Sequence, residues 1–200
     1  MGAARCSVTI RKIAVLGEPV LRAPTRELTP EELASPEIQR LIDDMIDTMH
    51  DADGAGIAAP QVFESLRLCV MELHDNPRYQ AVPALALTVL VNPVVEPLVP
   101  HPEMPAKSDT VALYEGCLSV PGLRGRVERP RRVRVTALDR RGERFEMVLE
   151  GPLASVIQHE TDHLHGTLFV DRADPRTLTF LREYERYVPL AERVKDGGGS

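Results

Sequence analysis

The chain has 200 residues, 43% of them apolar and 4% aromatic, with 24 basic against 30 acidic side chains and a net charge of −6. That length supports one domain, expected over residues 1–200, with a core of Leu, Val, Ile and Ala. The acidic balance argues against a general binder of DNA, no apolar run reaches the roughly 18 residues of a membrane span, and three scattered cysteines, Cys6, Cys69 and Cys117, argue against a disulfide framework and for a reducing cytoplasm.

In chain order, Val15 to Arg22 holds Gly17 and Pro19 and reads as an irregular lead-in. Thr29-Pro30-Glu31-Glu32 carries a capping box, and Ser35-Pro36 starts a second helix. Ile38, Leu41, Ile42, Met45, Ile46 and Met49 then make one apolar stripe at helical spacing. Gly54 is expected to end that helix as the glycine past its C-terminus. Gly54-Ala55-Gly56-Ile57-Ala58-Ala59-Pro60-Gln61 is rich in small residues and lacks a phosphate-loop lysine. It reads as a tight packing turn or as the wall of a cleft whose backbone pairs with an extended ligand.

Leu66 to Met71 and Thr88 to Val95 have strand character, separated by a polar insertion from His74 to Ala86. Pro97 to Asp109 is proline-rich and reads as a surface excursion. His50, His74 and His101 have no partner at ligand spacing and are taken as surface residues. Arg132 to Leu138 and Phe145 to Leu149 alternate about the turn Asp139-Arg140-Arg141-Gly142, a β-hairpin. Gly151-Pro152 opens a helix that Gly166 closes. Phe169-Val170 reads as a short strand. Asp174-Pro175 caps a last helix with Leu178, Leu181, Tyr184 and Val188 inward. The end of the chain, from about residue 192, is read as a disordered tail.

The helix after Gly151 carries Gln158-His159-Glu160-Thr161-Asp162-His163, which reads H-E-x-x-H. Residues four apart lie one turn apart on one face, so His159 and His163 can point two imidazoles at one metal ion. Glu160, about 100° round the helix, suits a carboxylate that handles protons on water. A catalytic centre of this kind needs a third protein ligand. Where metzincins place a third histidine, this chain has Phe169. Glu183 stands at the distance of a thermolysin-like glutamate but reads as the exposed face of the last helix. Cys117, in Glu115-Gly116-Cys117-Leu118-Ser119, is the stronger candidate; a buried core thiol is its other reading.

Three blocks together give the chain its resemblance to the peptide deformylases. Gly54 to Gln61 fits G-x-G-x-A-A-x-Q, Glu115 to Ser119 fits E-G-C-L-S, and Gln158 to His163 fits Q-H-E-x-D-H, in that order. The weaker likeness runs from about Val15 to Val188, and the long, proline-rich stretch between His74 and Asp109 is the departure, its length resembling longer-loop members.

The resemblance implies an α+β fold: small antiparallel or mixed sheets packed around a central metal-binding helix, with an N-terminal amphipathic helix and a C-terminal helix. It implies a metal held by Cys117, His159 and His163, ferrous iron by family habit, although zinc, nickel or cobalt suits the same donors. It implies removal of the formyl group from formyl-methionyl nascent polypeptides, with release of formate. Glu160 would move the proton, and the Gln61 amide and Leu118 N–H would face the developing oxyanion. Gly56 and Gly116 would keep the pocket narrow, and Leu113, Val156 and His159 would line a methionine pocket. Gly54 to Ile57 would pair with substrate backbone, and Arg124 would stand at the cleft edge. Asp162 is expected to pair with Arg129 behind the helix.

The family also implies a place near the ribosome, with Arg182, Arg186 and Arg193 able to meet RNA phosphates. Two alternatives stand beside this reading. One is a zinc endopeptidase using Glu183; the other is a structural metal clamp closed by His165.

Overall fold

Thr29 accepts a hydrogen bond from the Glu32 N–H at 3.2 Å, and Glu32 accepts from the Thr29 N–H at 2.9 Å. This reciprocal capping box opens the single turn of α1 (Pro30–Leu33). Ser35 then caps α2 (Pro36–Asp51), which buries Leu41, Ile42, Met45 and Met49 along the expected stripe. The computed structural model describes residues 9–73, 84–98 and 109–189. The readings of Cys6, His74, His101, Arg193, the tail and most of the excursion lie outside the described residues.

The end of α2 differs from expectation. Asp53, not Gly54, takes the left-handed conformation, at φ 50°. Its N–H bonds to His50 O and the Gly54 N–H to Met49 O, a Schellman closure made with aspartate. Gly54 is small for another reason: a Cβ there would lie 3.0 Å from Leu118 Cδ1.

Eight strands follow among the described residues: β1 (Gly56–Ala58), β2 (Leu68–Leu73), β3 (Leu85–Pro97), β4 (Thr110–Cys117), β5 (Val120–Pro130), β6 (Arg132–Leu138), β7 (Arg144–Glu150) and β8 (Thr179–Phe180). They form a five-stranded antiparallel sheet in the order β1-β2-β3-β6-β7 and a three-stranded one in the order β4-β5-β8. The helix α3 (Gly151–His163) follows β7, with α4 (Phe169–Arg172) and α5 (Leu181–Tyr187) beyond it.

Side chains alternate across a strand. Leu68 and Val70 of β2 join the α2 cluster with Val89 and Val91, while Cys69, Met71 and Leu90 join Leu153, Ala154 and Ile157 of α3. The larger sheet is thus covered on both faces over β2 and β3. That is why Leu68 to Met71 read as an unbroken apolar run rather than as an alternation. In β6, next to the far edge strand, Val133, Val135 and Ala137 face α3 and Arg132 and Arg134 turn outward, as the alternation predicts.

Three expectations change, all of them after the wall. The wall Gly54–Gln61 contains β1 and a 3-10 turn (Ala59–Val62). β3 begins inside the expected insertion, at Leu85. Phe169-Val170 is helical, capped by the Asp171 carboxylate on the Leu168 N–H at 2.8 Å. The last helix is interrupted: after the turn Pro175–Thr177 the chain extends as β8 to pair with Leu123 and Arg124, and α5 buries none of its residues. Thr177 fixes that course by accepting the Arg126 N–H at 2.8 Å.

Candidate metal centre

The register of β4 and β5 pairs Cys117 with Val120, leaving Leu118 and Ser119 as the turn between them. This turn presents Cys117 to the buried end of α3. Gly151-Pro152 starts α3 as β7 ends, and the i, i+4 spacing brings His159 and His163 to one face. The ligand atoms of Cys117, His159 and His163 all lie within 4.8 Å of one another. Cys117 Sγ is 3.3 Å from His163 Nε2, and the two imidazoles stand nearly perpendicular with centroids 5.1 Å apart. A thiolate and two imidazoles in a buried cluster of this span fit a transition-metal ion.

Glu115 holds the cluster from behind. Its carboxylate takes a bidentate pair from Arg129 at 2.5 and 2.9 Å, the Ser155 hydroxyl at 3.1 Å, and His159 Nδ1 at 2.9 Å. Burial would raise its pKa, but the hydrogen bonds from Arg129 and His159 prevail and hold it at about 2. With Nδ1 donating to this carboxylate, His159 keeps Nε2 for a ligand. For His159 itself burial works downward, while hydrogen bonds to Cys117 and Glu115 raise its pKa well above the ordinary value. The His163 pKa lies well below the ordinary value, first through burial and then through the nearby charges of His159 and Arg129.

The chain of charges continues outward. Arg129 also reaches Asp162 at 2.8 Å, the pair expected from the sequence. Asp162 in turn accepts two bonds from Arg172, at 2.7 and 2.6 Å. Glu115, Ser155 and Arg172 had no assigned role in the sequence reading. The signal for Glu115 in the sequence is its place in the Glu115-to-Ser119 block, two residues before Cys117.

Glu160 is buried beside these groups, and its pKa rises to about 7, chiefly through burial. Its Oε2 and His163 Nδ1 are the buried side-chain polar atoms among the described residues that have no protein partner. A Cβ on Gly56 would lie 2.7 Å from the Glu160 carboxyl carbon, so β1 runs directly along this acid. Gln61 is oriented by the Ala58 N–H, which its Oε1 accepts at 2.8 Å. Its Nε2 therefore turns to the centre, 3.5 Å from Cys117 Sγ and 3.2 Å from Ser119 Oγ. Leu118 occupies the same turn, its side chain against the α2-side core.

The outer residues spread more widely. The Arg124 guanidinium lies against Gly116, where a Cβ would collide with it, and donates to Leu123 O at 2.8 Å. Ile57 is buried in β1. Leu113, half-buried, pairs across to Val127, and Val156 packs from α3 onto the core under the larger sheet. Glu183 sits in the first turn of α5 beside Arg182, and His165 is held by Thr161 O and Arg67, so neither enters the cluster.

A thiol and two imidazoles converging on one point, with a buried carboxyl beside them, define the class, a metal-dependent hydrolase. The chain belongs to the polypeptide deformylase family, whose model matches residues 10–178. A peptide deformylase of Leptospira biflexa is 39% identical over 82% of this chain and 88% of its own length. An Arabidopsis thaliana relative, peptide deformylase 1A, chloroplastic/mitochondrial, is 40% identical over 96% of this chain and 71% of its own. The Met-Ala-Ser-bound class I type b peptide deformylase of Acinetobacter baumannii superposes with a TM-score of 0.75 at 38% identity, covering 83% of this chain and 99% of that one. The Synechococcus elongatus peptide deformylase in complex with actinonin gives 0.71 at 34% identity over 98% of each chain. Among the described residues no helix is long and apolar enough to cross a membrane.

Proposed function

We propose that this chain removes the formyl group from formyl-methionyl nascent polypeptides, with Cys117, His159 and His163 holding one divalent ion, ferrous iron by family resemblance. The observation that carries this reading is the convergence of those three donors, within 4.8 Å of one another, with the Gln61 Nε2 at 3.5 Å from the thiol. The ion would supply Lewis acidity toward water and the formyl oxygen.

The chain's own residues do the rest. Glu160 takes a proton from the attacking water, whose oxygen bonds to the formyl carbon. The carbon–nitrogen bond then breaks, and Glu160 returns the proton to the leaving nitrogen, giving formate and a free amine. The Gln61 amide and the Leu118 N–H donate to the formyl oxygen as it gains charge. Gly56 lets Glu160 close against β1 and Gly116 lets the Arg124 guanidinium close over β4, which would keep the pocket to the size of a formyl group. Gly54 to Ile57 is the edge along which substrate backbone would lie. Leu113 and Val156 would receive the methionine side chain, and Arg124 would stand at the cleft rim. The cytoplasm, close to the ribosome, is the place where such a substrate emerges.

The test is formate release from a formyl-methionyl peptide by anaerobically purified, iron-loaded protein. Glu160→Ala is expected to keep its metal and lose release. Cys117→Ser is expected to lose both. Release that survives Glu160→Ala would overturn the proton-transfer role.

A further inference from the structure

Gln61 and Leu118 lie on segments more than fifty residues apart, the turn after β1 and the turn between β4 and β5. Their two donors can act on one oxygen only while those segments keep a fixed separation. Two side-chain contacts join them, Gln61 Nε2 to Ser119 Oγ at 3.2 Å and to Cys117 Sγ at 3.5 Å. Two backbone links come from a third segment. The Ala14 N–H donates to Gln61 O at 2.8 Å, and the Leu16 N–H donates to Ser119 O at 2.8 Å. In extended backbone, N–H groups two residues apart point the same way, so three residues reach both carriers.

We propose that Ala14 to Leu16 is a positioning strap that sets the spacing of the two oxygen-binding donors; this rests on the roles given above to Gln61 and Leu118. The strap is anchored at its far end. The Glu18 N–H closes a turn on Val15 O at 2.9 Å, with Gly17 at φ 111° and Leu16 outside the positive-φ region. Those signs match a type II turn, with glycine at its third position. The turn aims the Leu16 N–H at Ser119. The Leu16 side chain is 49% exposed, so residue 16 contributes its amide far more than its packing. Ala14, by contrast, is fully buried.

This geometry offers a clean substitution. Proline is favoured at the second position of a type II turn and carries no N–H. Leu16→Pro should therefore keep the turn and delete one link, whereas Leu16→Ala trims the side chain and keeps the link. Outright loss of an oxyanion donor lowers rate about 10²–10³-fold; loosening one should lower kcat by about tenfold. The expected result is that fall in Leu16→Pro, with KM, melting temperature and cobalt content matching Leu16→Ala, whose kcat equals that of the wild type.

Equal kcat in the two variants would overturn the strap, and so would a rise in KM with kcat unchanged. If the wild type releases no formate, the reading of function fails first and the strap with it, a result distinct from either. Should Leu16→Pro not fold, Gly17→Ala replaces it. The added Cβ meets nothing within 4 Å, so it strains only the turn's backbone. A several-fold lower kcat is expected from it, with unchanged cobalt content and a melting temperature a few degrees lower through the strained backbone, and wild-type kcat in a folded Gly17→Ala protein would refute the proposal.

Discussion

At Glu115 one carboxylate serves Arg129, Ser155 and His159 together. Its ionised form orients the imidazole, as carboxylates behind metal-binding histidines commonly do, and removing such a partner weakens metal affinity about 10–100-fold. Glu115→Gln should show a loss in that range, measured by cobalt competition against a chromogenic chelator. Wild-type affinity in that variant would mean that the charge does not set the ring. Glu115→Ala adds a second effect, because Arg129 is left buried without its bidentate partner. Urea unfolding should then show a loss of about 3–5 kcal/mol. The sequence displayed His159 and His163 as a candidate pair because they stand four apart on a helix. It hid Glu115, whose role depends on an arginine fourteen residues later folding back across a strand pair.

Among the elements, α2 and the β6–β7 hairpin were legible from periodicity, since their buried positions are filled by apolar side chains. The β4–β5 pair was not. Gly125, Val127 and Arg129 of β5 point inward while Arg126 and Glu128 are exposed, a regular alternation. Two of those inward positions are a glycine and an arginine, so no apolar rhythm appears. Gly125 is small because Leu178 and Ala173 pack there: a Cβ would lie 2.8 and 2.9 Å from them. Arg129 is inward because two carboxylates meet it. Helix α2 makes the contrast measurable. Met45→Ala empties a fully buried site and should lower stability by about 2–5 kcal/mol. Ser35→Ala removes a cap and should lower it by about 1 kcal/mol. Equal losses would mean that the helix is held by its end rather than by its stripe.

On the scale of the whole molecule, the centre gathers donors from both sheets. Cys117 ends a strand of the smaller one, and His159 and His163 ride on the helix packed against the larger one. An ion held by all three would fasten the two layers together and stabilise the folded chain by mass action. At a hundredfold excess over its dissociation constant that amounts to about 2.7 kcal/mol, or roughly 5–10 °C for a domain of this size. The melting temperature of the wild type should therefore climb with added cobalt and fall back on chelation. Cys117→Ser keeps both histidines on α3 but removes the donor from the other layer. Its melting temperature should stay near that of the chelated wild type and respond weakly to cobalt. A full shift in Cys117→Ser would show that the histidines suffice for the ion, and the bracing between sheets would then have to come from the Glu115–Arg129–Asp162 chain, which crosses the same boundary without any metal.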